Sequence, residues 1–203
     1  MQPLSSERIV GSALELIDER GVDAVSMRAV ASLLGCEAMS LYRHVPNKEA
    51  LLQLVGQRVA AEIDVPDPEQ GNWQEVIRDL MHALRGAALR HPAAFSLLHR
   101  APVAALGAAP LEVGMAALQR GGLSEQRAAS ALCVLLAFAI GAISNELAAA
   151  ALGGPLARAA DAEGWDHAHR ARRFLQLMEH TSYQAEFEAG VDTLLAGLGQ
   201  RAA

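Results

Sequence analysis

A chain of 203 residues is long enough to bury a proper core, as one large or two small domains, and a 52% hydrophobic composition with only 4% aromatics favours helices over sheets. Seventeen Lys and Arg against 23 Asp and Glu leave a net charge of −6, which argues against a surface that binds nucleic acid indiscriminately. Cys36 and Cys133 lie far apart and form no metal-spaced cluster, so free thiols rather than a disulfide framework are expected.

In chain order, Ser5 or Ser6 caps a first helix whose Ile9, Val10, Ala13, Leu14, Leu16 and Ile17 form one apolar face, and Gly21 stops it. Ser26 is placed to cap a second, short helix in which Met27, Val30, Ala31 and Leu34 share a face. Gly35 follows where a helix end calls for positive φ, and only Cys36 and Glu37 remain before the periodicity resumes. Ala38, Leu41, Tyr42 and Val45 then make the inner face of a third helix, which leaves Met39, Ser40, Arg43 and His44 outward. Pro46 ends it, Asn47 caps the next, and that fourth helix runs from Lys48 to about Ile63.

The segment DVPDPEQGN, Asp64 to Asn72, reads as a boundary. Beyond it a long helix carries Trp73, Val76, Ile77, Leu80, Met81, Leu84 and Ala88 up to the His91-Pro92 break, and a short helix covers Ala93 to Arg100. A loop is predicted from Ala101 to Ala109, then a helix from Leu111 to Arg120 closed by Gly121-Gly122. The uncharged run between Arg127 and Glu146 is of borderline length for a membrane span, but its Ala, Gly, Ser and Asn content predicts a helix buried on all sides. A loop from Gly153 to about Trp165, a basic helix from His167 to His180 and a final helix stepping through Tyr183, Phe187, Val191, Leu194 and Leu198 complete the chain.

Two short helices joined by a glycine turn make a helix-turn-helix, whose second helix enters the DNA major groove. The outward face suits that use, with an Arg43 guanidinium able to pair with guanine, the Ser40 hydroxyl and the His44 imidazole. Lys48 stands at a helix N-terminus, where backbone N–H groups favour a phosphate. Up to Ile63 the cations number six against eight carboxylates, so the cations must gather on one surface. The stretch LYRHVPNKEALL, with its Ser-Met-Arg helix start and a first helix ending in Glu-Arg-Gly, resembles the DNA-binding domain of the tetracycline-repressor (TetR) family. The resemblance is close from about Ser6 to Ile63, and further on lies in helix layout and in the closing FEAGVDTLLAGL.

The fold expected is all-α: a three-helix helix-turn-helix domain (residues 1–47), a connecting helix (48–64), and a helical effector-binding and dimerisation domain (65–203). The resemblance implies a cytoplasmic, ligand-responsive repressor that binds a pseudo-palindromic double-stranded DNA operator as a homodimer. Arg28, Met39, Ser40, Tyr42, Arg43, His44 and Lys48 are the expected DNA contacts, with the Tyr42 ring packed inward and its hydroxyl reaching a phosphate. A small, largely apolar effector would be lined by Leu80, Leu84, Phe95, His99, Met115, Leu118, Phe138, Asn145 and Trp165, although a filled core explains most of the same residues. Leu135, Ile143, Phe187, Val191, Leu194 and Leu198 are the expected dimer seam.

The N-terminus shows no secretory signal pattern, and no membrane partner, cofactor or metal is expected. The histidines include no HExxH or paired Cys/His set. The competing reading is an all-helical enzyme or small-molecule carrier whose first helices are only structural. No nucleophile, base and acid stand at interpretable spacing to support it.

Overall fold

A computed structural model describes residues 3–100, 106–151, 169–178 and 181–199, and every regular element among them is helical. Contacts divide the chain into two compact units, Met1–Ala117 and Leu118–Ala203.

The first unit begins with α1 (Ser6–Arg20), capped by the Ser5 hydroxyl, which accepts the Arg8 N–H at 3.3 Å, and a 3₁₀ turn follows at Val22–Ala24. Then come α2 (Met27–Leu34), α3 (Ala38–Leu41) and α4 (Lys48–Ala60). The apolar face of α1, from Ile9 to Ile17, is buried as its spacing requires and packs on α2, α4 and α6 (Pro92–Arg100). At about 1.5–3 kcal/mol for each fully buried Leu, Ile or Val, that one face outweighs any single cap. In α4, Leu51, Val55 and Val59 are buried at four-residue spacing, and buried Gly56 faces Leu97 of α6. The helix ends at Ala60, earlier than predicted, and Glu62 and Ile63 complete its exit through turn hydrogen bonds to Val59 and Ala60.

Asn72 and Glu75 form a reciprocal capping box that starts α5 (Trp73–Arg90) sharply after the Pro/Gly boundary. Pro92 opens α6 where a helix has no N–H to satisfy. Helix α7 (Ala108–Arg120) starts within the predicted loop, because Pro110 lies in its first turn, where its missing N–H costs nothing.

The second unit holds α8 (Glu125–Ala151), α9 (His169–Met178) and α10 (Tyr183–Gly199). Helix α8 is long and apolar enough to cross a membrane by length and composition. It buries one face, including Ala128, Leu132, Leu135, Ala139 and Ile143, and packs on α10. The expectation of burial on all sides is therefore corrected: Cys133, Val134, Ala137, Gly141 and Asn145 are exposed on the chain. In α10 the buried series is Phe187, Val191 and Leu195, and Leu194 and Leu198 stand half-buried beside it. Phe138 meets Phe187 with ring centroids 5.8 Å apart, and its ring lies over the bare Cα of Gly190. Of the seam residues read from sequence, Leu135, Ile143, Phe187 and Val191 are consumed by the chain's own core, because a strict four-residue step keeps one face of α10 on α8.

Candidate nucleic-acid interface

The reading motif is built by three local devices. The Ser26 hydroxyl accepts the Ala29 N–H at 3.1 Å and starts α2. Gly35, at φ 65° and ψ 35°, takes the left-handed conformation that ends it, and the Cys36 N–H closes back on the Ala31 carbonyl at 3.0 Å. The chain thus reverses within Gly35–Glu37 and enters α3.

Only Ala38–Leu41 form regular α-helix, yet the N–H groups of His44 and Val45 both reach the Leu41 carbonyl at 2.9 Å and carry the helical turn onward. Leu41 and Val45, both fully buried, hold this short element to the core. Met39, Arg43 and His44 are exposed, whereas Ser40 is half-buried. Tyr42 departs from the inward packing expected of it: its side chain is 46% exposed. Leu41 and Val45 already occupy the inward positions one turn apart, which leaves Tyr42, about 100° further round than Leu41, on the rim. The Asn47 side chain accepts the Ala50 N–H at 2.8 Å and presents exposed Lys48 in the first turn of α4.

Electrostatics single out the same surface. Arg20 lies 3.9 Å from Glu19, Arg58 lies 3.8 Å from Glu7 and 3.9 Å from Glu62, and Arg8 donates to the Pro3 carbonyl at 3.0 Å. The side chains of Arg28, Arg43 and Lys48 have no hydrogen bond or ion pair among the described residues. Three of the six cations before Ile63 are therefore free to meet phosphate or base edges, and all three sit on α2, after α3 and at the start of α4. Exposed Glu37 and Glu49 flank them and temper the positive potential.

The residues read as an effector lining are divided between the units. Leu80, Leu84 and Phe95 are buried and Met115 half-buried in the first, and Leu118 is buried and Phe138 half-buried in the second. Asn145 is exposed, on the side of α8 away from Ile143, so within one chain it does not line an interior. The His99 side chain and Trp165 lie outside the described residues. Sequence reasoning misses an ion cluster that joins Asp18, Glu62 and His91, because those residues are 29 to 73 positions apart and carry no local pattern.

Residues 9–55 match the model of bacterial regulatory proteins of the tetR family, and residues 65–202 match the tetracyclin repressor-like C-terminal domain. The chain belongs to the TetR family. Among TetR-family relatives, an HTH-type transcriptional regulator of Saccharopolyspora erythraea is 32% identical over 219 aligned positions, covering 98% of this chain and 86% of the relative. The crystal structure of apo ActR from Streptomyces coelicolor shares 30% identity at a TM-score of 0.85, over 100% of this chain and 98% of ActR. ActR in complex with actinorhodin superposes at 0.84, with 29% identity over 100% of both chains. As a TetR-family protein the chain is a helix-turn-helix, DNA-binding transcriptional regulator, all-helical as its sequence implied.

Proposed function

We propose that the chain is a homodimeric repressor whose two helix-turn-helix heads read the half-sites of a pseudo-palindromic operator, and whose helices beyond the head bind a small, largely apolar effector. The observation that carries the DNA-binding surface is the trio Arg28, Arg43 and Lys48, exposed and without a partner among the described residues, around a motif anchored by Leu41 and Val45. In this reading residues 1–47 are the reading head, 48–64 the connecting helix, and 65–203 the effector and dimerisation part.

An apolar effector is supported by the absence of any buried polar or charged side chain among the described residues, and by the apolar character of Leu80, Leu84, Phe95 and Leu118. The bound actinorhodin of ActR supports the idea of an effector without naming this chain's own. Dimerisation is supported by α8, where Val134, Ala137, Gly141, Asn145 and Ala148 recur at three- and four-residue steps on the exposed face. Small side chains there allow close approach of a second helix. The protein works in the cytoplasm, where its DNA is, and the enzyme reading loses its support to a family of regulators.

Gel retardation on operator and scrambled DNA across a salt series tests the reading. Sequence-selective retention that weakens with salt is expected, and equal retention of both DNAs would refute operator recognition. A ligand that raises the melting temperature must then bind operator complex and free protein with affinities that differ by the factor through which it weakens DNA binding. Equal affinities would remove effector control.

A further inference from the structure

Helix α3 turns one of its residues fully outward. Ala38 and Ser40 are half-buried and Leu41 is fully buried, whereas Met39 is 72% exposed, the barest large apolar side chain among the described residues. Leu41 and Val45 lie about 200° and about 240° round the helix from Met39 and are both anchored in the core, so Met39 points away from it. Arg43, four residues on, shares the outward face, because the N–H groups of His44 and Val45 continue the helical turn past Leu41. Leu33 and Tyr42 are exposed on the head as well. Leu33 belongs to α2, the helix that crosses the DNA backbone in such a motif, and Tyr42 stands on the rim.

A thioether has no proton to donate and accepts hydrogen bonds only weakly. Pressed into a major groove it gains from apolar surface alone, and the apolar group that a base pair shows there is the thymine C5 methyl. Against a purine it would cover the N7 acceptor, and against cytosine the N4 donor, without replacing the water that those groups lose. Three rotatable bonds let the side chain close on a methyl without a fixed geometry. Arg43 has the opposite need: its guanidinium carries only donors, which the O6 and N7 acceptors of guanine meet. Four residues of helix rise about 6 Å and stacked base pairs stand about 3.4 Å apart, so the two side chains reach base pairs within about two steps of each other.

We propose that Met39 selects a thymine in each operator half-site by burying its side chain on the C5 methyl, and that this thymine lies within about two base pairs of the guanine read by Arg43. The inference rests on the operator recognition proposed above and adds to it the base feature that this chain's own side chain asks for.

The probe is a randomised double-stranded DNA library, selected in parallel on the full chain as wild type, Met39→Ala and Met39→Gln. Wild type should enrich a motif with a constant thymine close to a guanine in each half. Met39→Ala should keep the guanine and lose the thymine preference. Met39→Gln should exchange thymine for adenine, whose N6 and N7 pair with a carboxamide. Replacing that thymine by deoxyuridine in the selected DNA removes the methyl alone. It should weaken wild type about fourfold per half-site, the worth of about one buried methyl, and leave Met39→Ala nearly unchanged. Thermal midpoints of both variants should match wild type, because so exposed a side chain has little packing to lose. A wild type that enriches a motif yet binds its thymine and deoxyuridine forms alike would overturn the methyl contact. Equal losses on deoxyuridine in wild type and Met39→Ala would assign the effect to DNA shape and overturn it too. Enrichment of no sequence by wild type would instead remove operator recognition itself, and this inference with it.

Discussion

At the scale of single residues, Arg43 and Lys48 are both exposed and without a partner among the described residues, but stand in different surroundings. Arg43 follows the outward turn of α3 and is proposed to meet base edges, so Arg43→Ala should cost about 1–3 kcal/mol on operator and little on scrambled DNA. Lys48, at the start of α4, is proposed to meet phosphate: Lys48→Ala should weaken both DNAs alike and lower the salt slope by about one. Retardation across salt separates the two, and equal losses for Arg43→Ala on both DNAs would exclude base readout. Tyr42 carries a sharper expectation because its ring lies on the rim. Tyr42→Ala should leave the stability within about 0.5 kcal/mol of wild type, as ordinary surface changes do, while operator affinity drops. A large loss of stability would mean that the ring packs inward after all.

At the scale of elements, the crossing of α8 and α10 depends on the missing side chain of Gly190. A Cβ there would collide with the Phe138 ring, which is itself packed on Phe187. Alanine is the better helix former by about 1 kcal/mol, yet overpacking a fitted contact costs about 1–3 kcal/mol, so Gly190→Ala should be net destabilising. Adding Phe138→Leu should restore much of the loss, since it removes the ring that the new methyl meets. Denaturant melts of the single and double variants measure this coupling, and additive effects would show that the two sites do not share the contact. Helix α3 depends instead on the left-handed turn at Gly35 and on Leu41 and Val45, which together compensate for its four-residue length.

At the scale of the whole molecule, burial separates the positions that make one chain from those available to a second. Val191 is fully buried against α8, whereas Leu194 is half-buried on the neighbouring face of α10. Val191→Glu should therefore unfold the second unit, because it strands a charge in the chain's own core. Leu194→Glu should leave the helix content intact and sediment as a monomer with operator affinity largely lost, since each head then binds one half-site alone. A Leu194→Glu protein that stays dimeric would place the interface elsewhere.

Local signals make the head legible in the amino-acid sequence itself. The Ser5, Ser26 and Asn47 caps, the Gly35 stop and the apolar spacing of α1 and α2 act within a few residues, so the sequence alone determined those helices, their ends and the family resemblance. Periodicity does not tell which of two adjacent apolar positions turns inward, and so it places Tyr42 in the core and passes over Leu195, which is buried beside half-buried Leu194. Nor does it distinguish an α8 wrapped on every side from one that packs on α10 and leaves Val134 bare. The pairing of His91 with Asp18 and Glu62 is equally hidden, because it joins side chains from three separate parts of the chain. Only tertiary structure decided these, since burial and ion pairing depend on which helices meet, and neighbours in space leave no mark in local spacing.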